Sequence, residues 1–136
     1  MLGWILTVIG AIIRLASYRE LGRLFTFDLS IRKGHKLVTT GPYSYIRHPS
    51  YTGAILGWTG TALCLLREGS WAKESGALNR SPGYYINNMS HWSALVVPLG
   101  LARRTYLEDR ILKEEFQEQW EQWVKKVPYK LFPGVF

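Results

Sequence analysis

Apolar positions along the chain gather into three runs separated by polar, basic stretches: residues 1–16 (MLGWILTVIGAIIRLA), 51–66 (YTGAILGWTGTALCLL) and 92–102 (WSALVVPLGLA). A helix that crosses a bilayer needs about 20 apolar residues, so each run is short by itself. Tolerant flanks lengthen the first two, with Arg14 snorkelling toward the headgroups. The third is marginal, and Pro98 predicts a kink in it. Small residues (Gly53, Ala54, Gly57, Gly60, Ala62) line the second run. Gly53 and Gly57 form a small-xxx-small pair suited to close packing against another helix. After the third run the period changes. Ile111, Leu112, Phe116, Trp120, Trp123 and Val127 recur every three to four residues, opposite Arg110, Lys113, Glu114, Glu118, Glu121 and Lys125. This predicts an amphipathic helix from Arg103 to Lys126, lying on a core or along a membrane surface and stopped by Pro128. Residues 67–91, rich in Gly, Ser and Asn, read as a loop.

Charge changes the picture by its placement. The 136 residues carry a net charge of +7, and an apolar content of 47% is ordinary for a soluble domain. Residues 19–50 hold six Lys/Arg against two acids, residues 67–91 three against two, and residues 103–136 seven Lys/Arg. Basic segments thus alternate with a less basic one, as the positive-inside rule expects for three crossings. The expected architecture is all-α: a single integral membrane domain over residues 1–136, with about three apolar helices and a cytosolic amphipathic C-terminal helix. Residues 19–50 and 103–136 would face the cytosol, and residues 67–91 the lumen. The competing expectation is a soluble domain with three buried core helices. The bases flank apolar runs and form no helical stripe, which argues against a nucleic-acid partner. Cys64 is the only cysteine, so an intrachain disulfide and a multi-cysteine zinc site are both impossible.

Two clusters carry candidate chemistry. The first is the string GHKLVTTGPYSYIRHPSYTG over residues 34–53. It has a plain structural explanation: Gly41-Pro42 marks a turn, and Pro49 suits the first turn of the helix that follows. His35 and His48 lack metal-pair spacing, and no His–acid pair stands out. The second cluster is Arg103, Arg104, Glu108 and Asp109. Arg104 and Glu108, four apart, share a helix face. They form either a surface ion pair or a polar site at the membrane edge, where ionisable residues often mark substrate pockets.

Together these clusters resemble the signature of the isoprenylcysteine carboxyl methyltransferases, protein-S-isoprenylcysteine O-methyltransferases. In that family an RHPxYxG turn is followed, beyond a hydrophobic segment, by an acidic pair. The string from His35 to Gly53 resembles the family's HxLVxxGxYxxxRHPxYxG block. The terminal block, RTYLEDRILKEEFQEQWEQWVKKVPYKLFPG, resembles its C-terminal counterpart. Membrane methyltransferases of phospholipid headgroups share a version of the signature. The resemblance implies S-adenosylmethionine as cofactor. It assigns His35, Lys36, Leu37, Val38, Tyr43, His48, Pro49, Ser50, Tyr51 and Glu108 to cofactor binding, and Arg104 to the acceptor carboxylate, as the residue that orients it for reaction. It further implies prenylated C-terminal cysteine proteins or peptides as partners, membrane lipids around the chain, no metal, and a multi-pass location in the endoplasmic reticulum membrane with the site facing the cytosol.

The implied chemistry suits these residue types. A C-terminal carboxylate, with a pKa of roughly 3.5, is ionised at neutral pH and needs no general base. The protein must align donor and acceptor and exclude water. Three departures from the family pattern stand out: Asp109 occupies the second acidic position, Gln117 stands where a Gly usually follows the Phe, and the 67–91 segment is long. The chain also begins at what resembles the family's last helix before the catalytic block. Two other readings follow: a lipid-amine acceptor with the same cofactor, or a shortened, non-catalytic paralogue.

Overall fold

The computed structural model describes residues 1–22, 36–76, 81 and 83–135. Over these residues the chain is all-helical. Helix α1 spans Leu2–Leu21. A 3-10 turn covers Gly41–Ser44, α2 runs from Pro49 to Leu66, a single turn α3 covers Trp71–Glu74, and α4 extends over Gly83–Lys126. Pro49 opens α2 as expected, because its fixed φ and missing N–H fit a first turn. Helix α4 ends before Pro128, also as expected.

Helices α1 and α2 form an antiparallel pair with backbones in near contact. A Cβ on Gly10 would lie 2.5 Å from the Gly53 carbonyl oxygen and 3.0 Å from the Gly57 Cα; one on Gly60 would lie 2.5 Å from the Gly3 carbonyl oxygen. The predicted close approach is therefore present, but its glycines are spaced differently. Gly3 and Gly10 meet Gly60 and Gly53, each pair seven residues apart, and a Cβ on Gly57 would meet nothing within 4 Å. Two turns, not one, separate the contact points along each helix.

Three other expectations change. Residues 83–91 belong to α4 and not to a loop, since helix propagates readily backward from the apolar segment it adjoins. Inside α4 the residue with non-helical dihedrals is Gln117 (φ 41°, ψ −109°), not Pro98. Of the three apolar runs, only α1 forms a helix long and apolar enough to cross a bilayer, with a mean hydropathy of 1.3 and 17% of that stretch buried, among the described residues.

Where α4 passes the start of α2, a small core forms from Tyr43, Trp123 and Val127, with Leu21, Leu37, Val38, Leu112 and Trp120 packed against it. The periodic face predicted for the tail supplies Leu112, Trp120, Trp123 and Val127 to this core. The segment after α4 then closes over the residues preceding α2. The Arg47 N–H donates to the Tyr129 carbonyl (3.0 Å) and the His48 N–H to the Lys130 carbonyl (2.9 Å). The Thr52 hydroxyl donates to the Leu131 carbonyl at 2.6 Å. Residues 47–52 are thereby held by chain some 80 positions away.

Candidate functional site

The turn before α2 and the first turn of α2 bring Arg47, His48 and Tyr51 against Glu108 and Asp109 of α4. His48 is 5% exposed. Its Nε2 lies 3.0 Å from Asp109 Oδ1, and its Nδ1 lies 3.2 Å from Glu108 Oε2. Carboxylates only accept, so a ring that bonds both must donate from both nitrogens, which makes it an imidazolium. Burial alone would lower the His48 pKa, but the bonds it donates to Asp109 and Glu108, with their negative charge, outweigh it and hold the pKa above the ordinary histidine value. Reciprocally, burial would raise both acids, yet His48 pulls each below the ordinary carboxylate range, with help from Tyr51 and Arg104 at Glu108 and from Arg47 and Lys130 at Asp109.

Sequence spacing conceals this His–acid cluster, because about 60 residues separate the partners. The two acids do different work. Asp109 is buried and bound by Arg47 Nη1 at 3.1 Å and Lys130 Nζ at 3.6 Å besides His48. Glu108 keeps 24% of its side chain exposed. Its Oε1 accepts from the Tyr51 hydroxyl and from Arg104 Nε at 3.3 Å. Arg104 also lies over the Tyr51 ring, 5.8 Å from its centroid. A carboxylate offers about four lone-pair sites, so a partly exposed one with three donors keeps capacity for a further donor.

The other residues singled out in the sequence divide. His35 lies outside the described residues. Lys36 is exposed, while Leu37 and Val38 pack on the Tyr43–Trp123–Val127 core. Tyr43 is buried in that core, and burial together with the Glu108 carboxylate raises its phenol pKa. Pro49 is fully buried, and Ser50 is half-buried. The structure thus brings together His48, Tyr51, Arg104 and Glu108, while Leu37, Val38 and Tyr43 belong to the small core beside them. Sequence reading missed Arg47 and Lys130 as partners of Asp109. Their signal was adjacency: Arg47 precedes His48, and Lys130 follows the proline that ends α4.

The phospholipid methyltransferase family model matches residues 1–72, just over half of the chain. Protein-S-isoprenylcysteine O-methyltransferase B of Arabidopsis thaliana is 30% identical over 128 residues, covering 93% of this chain and 55% of its own length. The protein-S-isoprenylcysteine O-methyltransferase of Schizosaccharomyces pombe is 28% identical over 122 residues, covering 88% of this chain and 44% of its own. A delta(14)-sterol reductase of Mus musculus is 24% identical over 103 residues, 76% of this chain and 20% of its own. No solved structure matches. These comparisons place the chain, which is all-helical over its described residues, among the methyltransferases. It belongs to the phospholipid methyltransferase family, and the isoprenylcysteine O-methyltransferases named above match 88–93% of its length, against 76% for the sterol reductase. It spans about half the length of those methyltransferases.

Proposed function

We propose that the chain forms the cofactor-binding part of an S-adenosylmethionine-dependent methyltransferase whose acceptor is the C-terminal carboxylate of a prenylated cysteine. The observation that carries this reading is the convergence of His48, Tyr51 and Arg104, from two distant blocks, onto the partly exposed carboxylate of Glu108. S-adenosylmethionine supplies an electrophilic methyl group. The acceptor carboxylate attacks with a lone pair it already has, so the chain moves no proton: a methyl ester and a neutral thioether result. Glu108 receives the ammonium of the cofactor. Arg104, whose side chain is 37% exposed, orients the acceptor carboxylate by charge-assisted bonds. Four cationic side chains (Arg47, His48, Arg104, Lys130) against two carboxylates leave an excess of positive charge that favours an anionic acceptor.

The apolar surface supports a membrane setting. Trp4, Ile5, Ile12 and Leu15 on α1, Trp58 on α2, and Trp92, Leu95, Val96 and Leu99 on α4 are all exposed, far more than a water-facing surface tolerates. Alternating Lys/Arg counts favour a multi-pass chain in the endoplasmic reticulum with the cluster on the cytosolic side.

The test is methyl transfer from labelled S-adenosylmethionine to a farnesylcysteine analogue in membranes containing the protein. Arg104→Ala is expected to raise the KM of the acceptor ten- to a hundredfold, the loss of about 1.5–3 kcal/mol for a charged hydrogen bond. Arg104→Lys is expected not to restore it fully, since an ammonium lacks the planar fork. Glu108→Ala is expected to act on the cofactor side. Transfer to phosphatidylethanolamine and not to the prenylcysteine would favour a lipid-amine acceptor, a second reading supported by the family description that matches residues 1–72. Cofactor binding without transfer to either would point to a non-catalytic role.

A further inference from the structure

The resemblance assigns His48 to cofactor contact, but in this structure its hydrogen-bonding groups are already engaged within the protein. Both ring nitrogens are taken by carboxylates at 3.0 and 3.2 Å, and the residue is 5% exposed. One ring face is covered by Tyr51, stacked at a centroid distance of 5.8 Å and an interplanar angle of 9°. The backbone N–H is spent on the Lys130 carbonyl.

What His48 does hold is Glu108. Consecutive residues on an α-helix project about 100° apart. Asp109 therefore turns toward Arg47 and Lys130, while Glu108 turns toward Tyr51 and Arg104. A side chain that bonds both acids must sit in the seam between them, and the imidazolium does, with one donor for each. Asp109, itself fixed by Arg47 and Lys130, anchors the ring; the ring fixes Glu108 Oε2; Tyr51 and Arg104 fix Oε1.

We propose that His48 is a positioning residue: clamped between Asp109 and Glu108, it presets the Glu108 carboxylate for the ammonium of the cofactor without touching the cofactor itself. This rests on the cofactor reading given above. Without the clamp, a glutamate with several rotatable bonds must be ordered at the moment of binding, which weakens affinity. The loss falls only on ligands that use Glu108.

Two probes separate this role from a general structural one. S-adenosylhomocysteine carries the amino-acid end of the cofactor, and 5′-methylthioadenosine lacks it. Titration calorimetry on the full chain in detergent micelles is expected to show His48→Gln weakening S-adenosylhomocysteine ten- to a hundredfold while leaving 5′-methylthioadenosine within about twofold. Glu108→Gln is expected to give the same split, and the double variant to bind no worse than Glu108→Gln alone, because both changes remove one interaction. Equal weakening of both probes, an unchanged affinity for S-adenosylhomocysteine, or full additivity in the double variant would overturn the proposal. Should His48→Gln fail to fold, Asp109→Asn removes the anchor with little change of shape and must show the same split. If the wild-type protein binds neither probe, the cofactor reading itself falls, and this inference with it.

Discussion

Gly10 and Gly53 occupy each other's side-chain space. A Cβ on Gly10 would lie 2.5 Å from the Gly53 carbonyl oxygen, and one on Gly53 would lie 2.6 Å from the Gly10 carbonyl oxygen. Neither helix can carry a side chain there without moving apart. Gly10→Ala and Gly53→Ala are each expected to cost about 1–3 kcal/mol, as overpacking does. Gly57→Ala, whose Cβ would enter open space, is expected to be nearly neutral. Thermal unfolding of the three variants in detergent checks the order; equal losses would contradict the seven-residue spacing.

Gln117 holds a φ of 41°, a region that favours glycine. A non-Gly residue there carries about 1–3 kcal/mol of backbone strain. Gln117→Gly removes the strain and gives back part of the gain as unfolded-state entropy. A net stabilisation of about 1 kcal/mol is expected, read as a rise of several degrees in Tm. A fall in Tm would mean that the Gln117 side chain contributes more than its backbone costs.

Trp123 donates its indole N–H to the Tyr43 carbonyl at 3.1 Å, inside the core that backs the cluster. Trp123→Phe keeps most of the apolar contact and leaves a buried carbonyl unpaired. A loss of about 1–3 kcal/mol is expected, measured by chemical unfolding. An unchanged midpoint would show the bond to be dispensable.

The cluster also sets a pH dependence. The folded pKa of His48 lies above its ordinary value of 6.5, so its contribution is complete below that value and is lost as pH rises through the raised one. Glu108 and Asp109 are depressed, so theirs is present above the ordinary carboxylate range and is lost only as pH falls through the depressed values. The groups around the ring are Glu108, Asp109 and Tyr51, with Arg47 and Lys130 behind Asp109 and Arg104 behind Glu108. Stability is expected to plateau in mild acid and decline above neutrality. His48→Gln is expected to flatten the alkaline decline in a Tm-versus-pH series. A decline of the same size in the variant would assign it to another group.

Much of this was legible in the sequence. The tail helix, its buried face, the stop at Pro128 and the proline start of α2 all follow from local periodicity and local stereochemistry, which act within a few residues. The RHP turn and the acid pair were visible as motifs. What stayed hidden depends on pairing across the chain: that His48 sits between both acids, that Lys130 closes on Asp109, and that Gly3 and Gly10 complete the glycine contact from the other helix. The helical character of residues 83–91 was obscured by a polar composition that only their continuity with α4 overrides. The departure at Gln117 was noted in the sequence, but its positive φ is a property of the backbone.

The bonds from Arg47, His48 and Thr52 to residues 129–131 also imply an order of assembly. Helices α1 and α2 meet through contacts between glycines, whereas the polar cluster needs chain some 80 positions away to close on the turn. Long closures are slow and come late. The hairpin is therefore the part able to stand first, and the His48–Glu108–Asp109 cluster is a late joint laid across it. In hydrogen exchange the amides of Arg47 and His48 should open before those of α1 and α2, so that the part of the molecule proposed to hold a ligand is also the first to let go of its own chain.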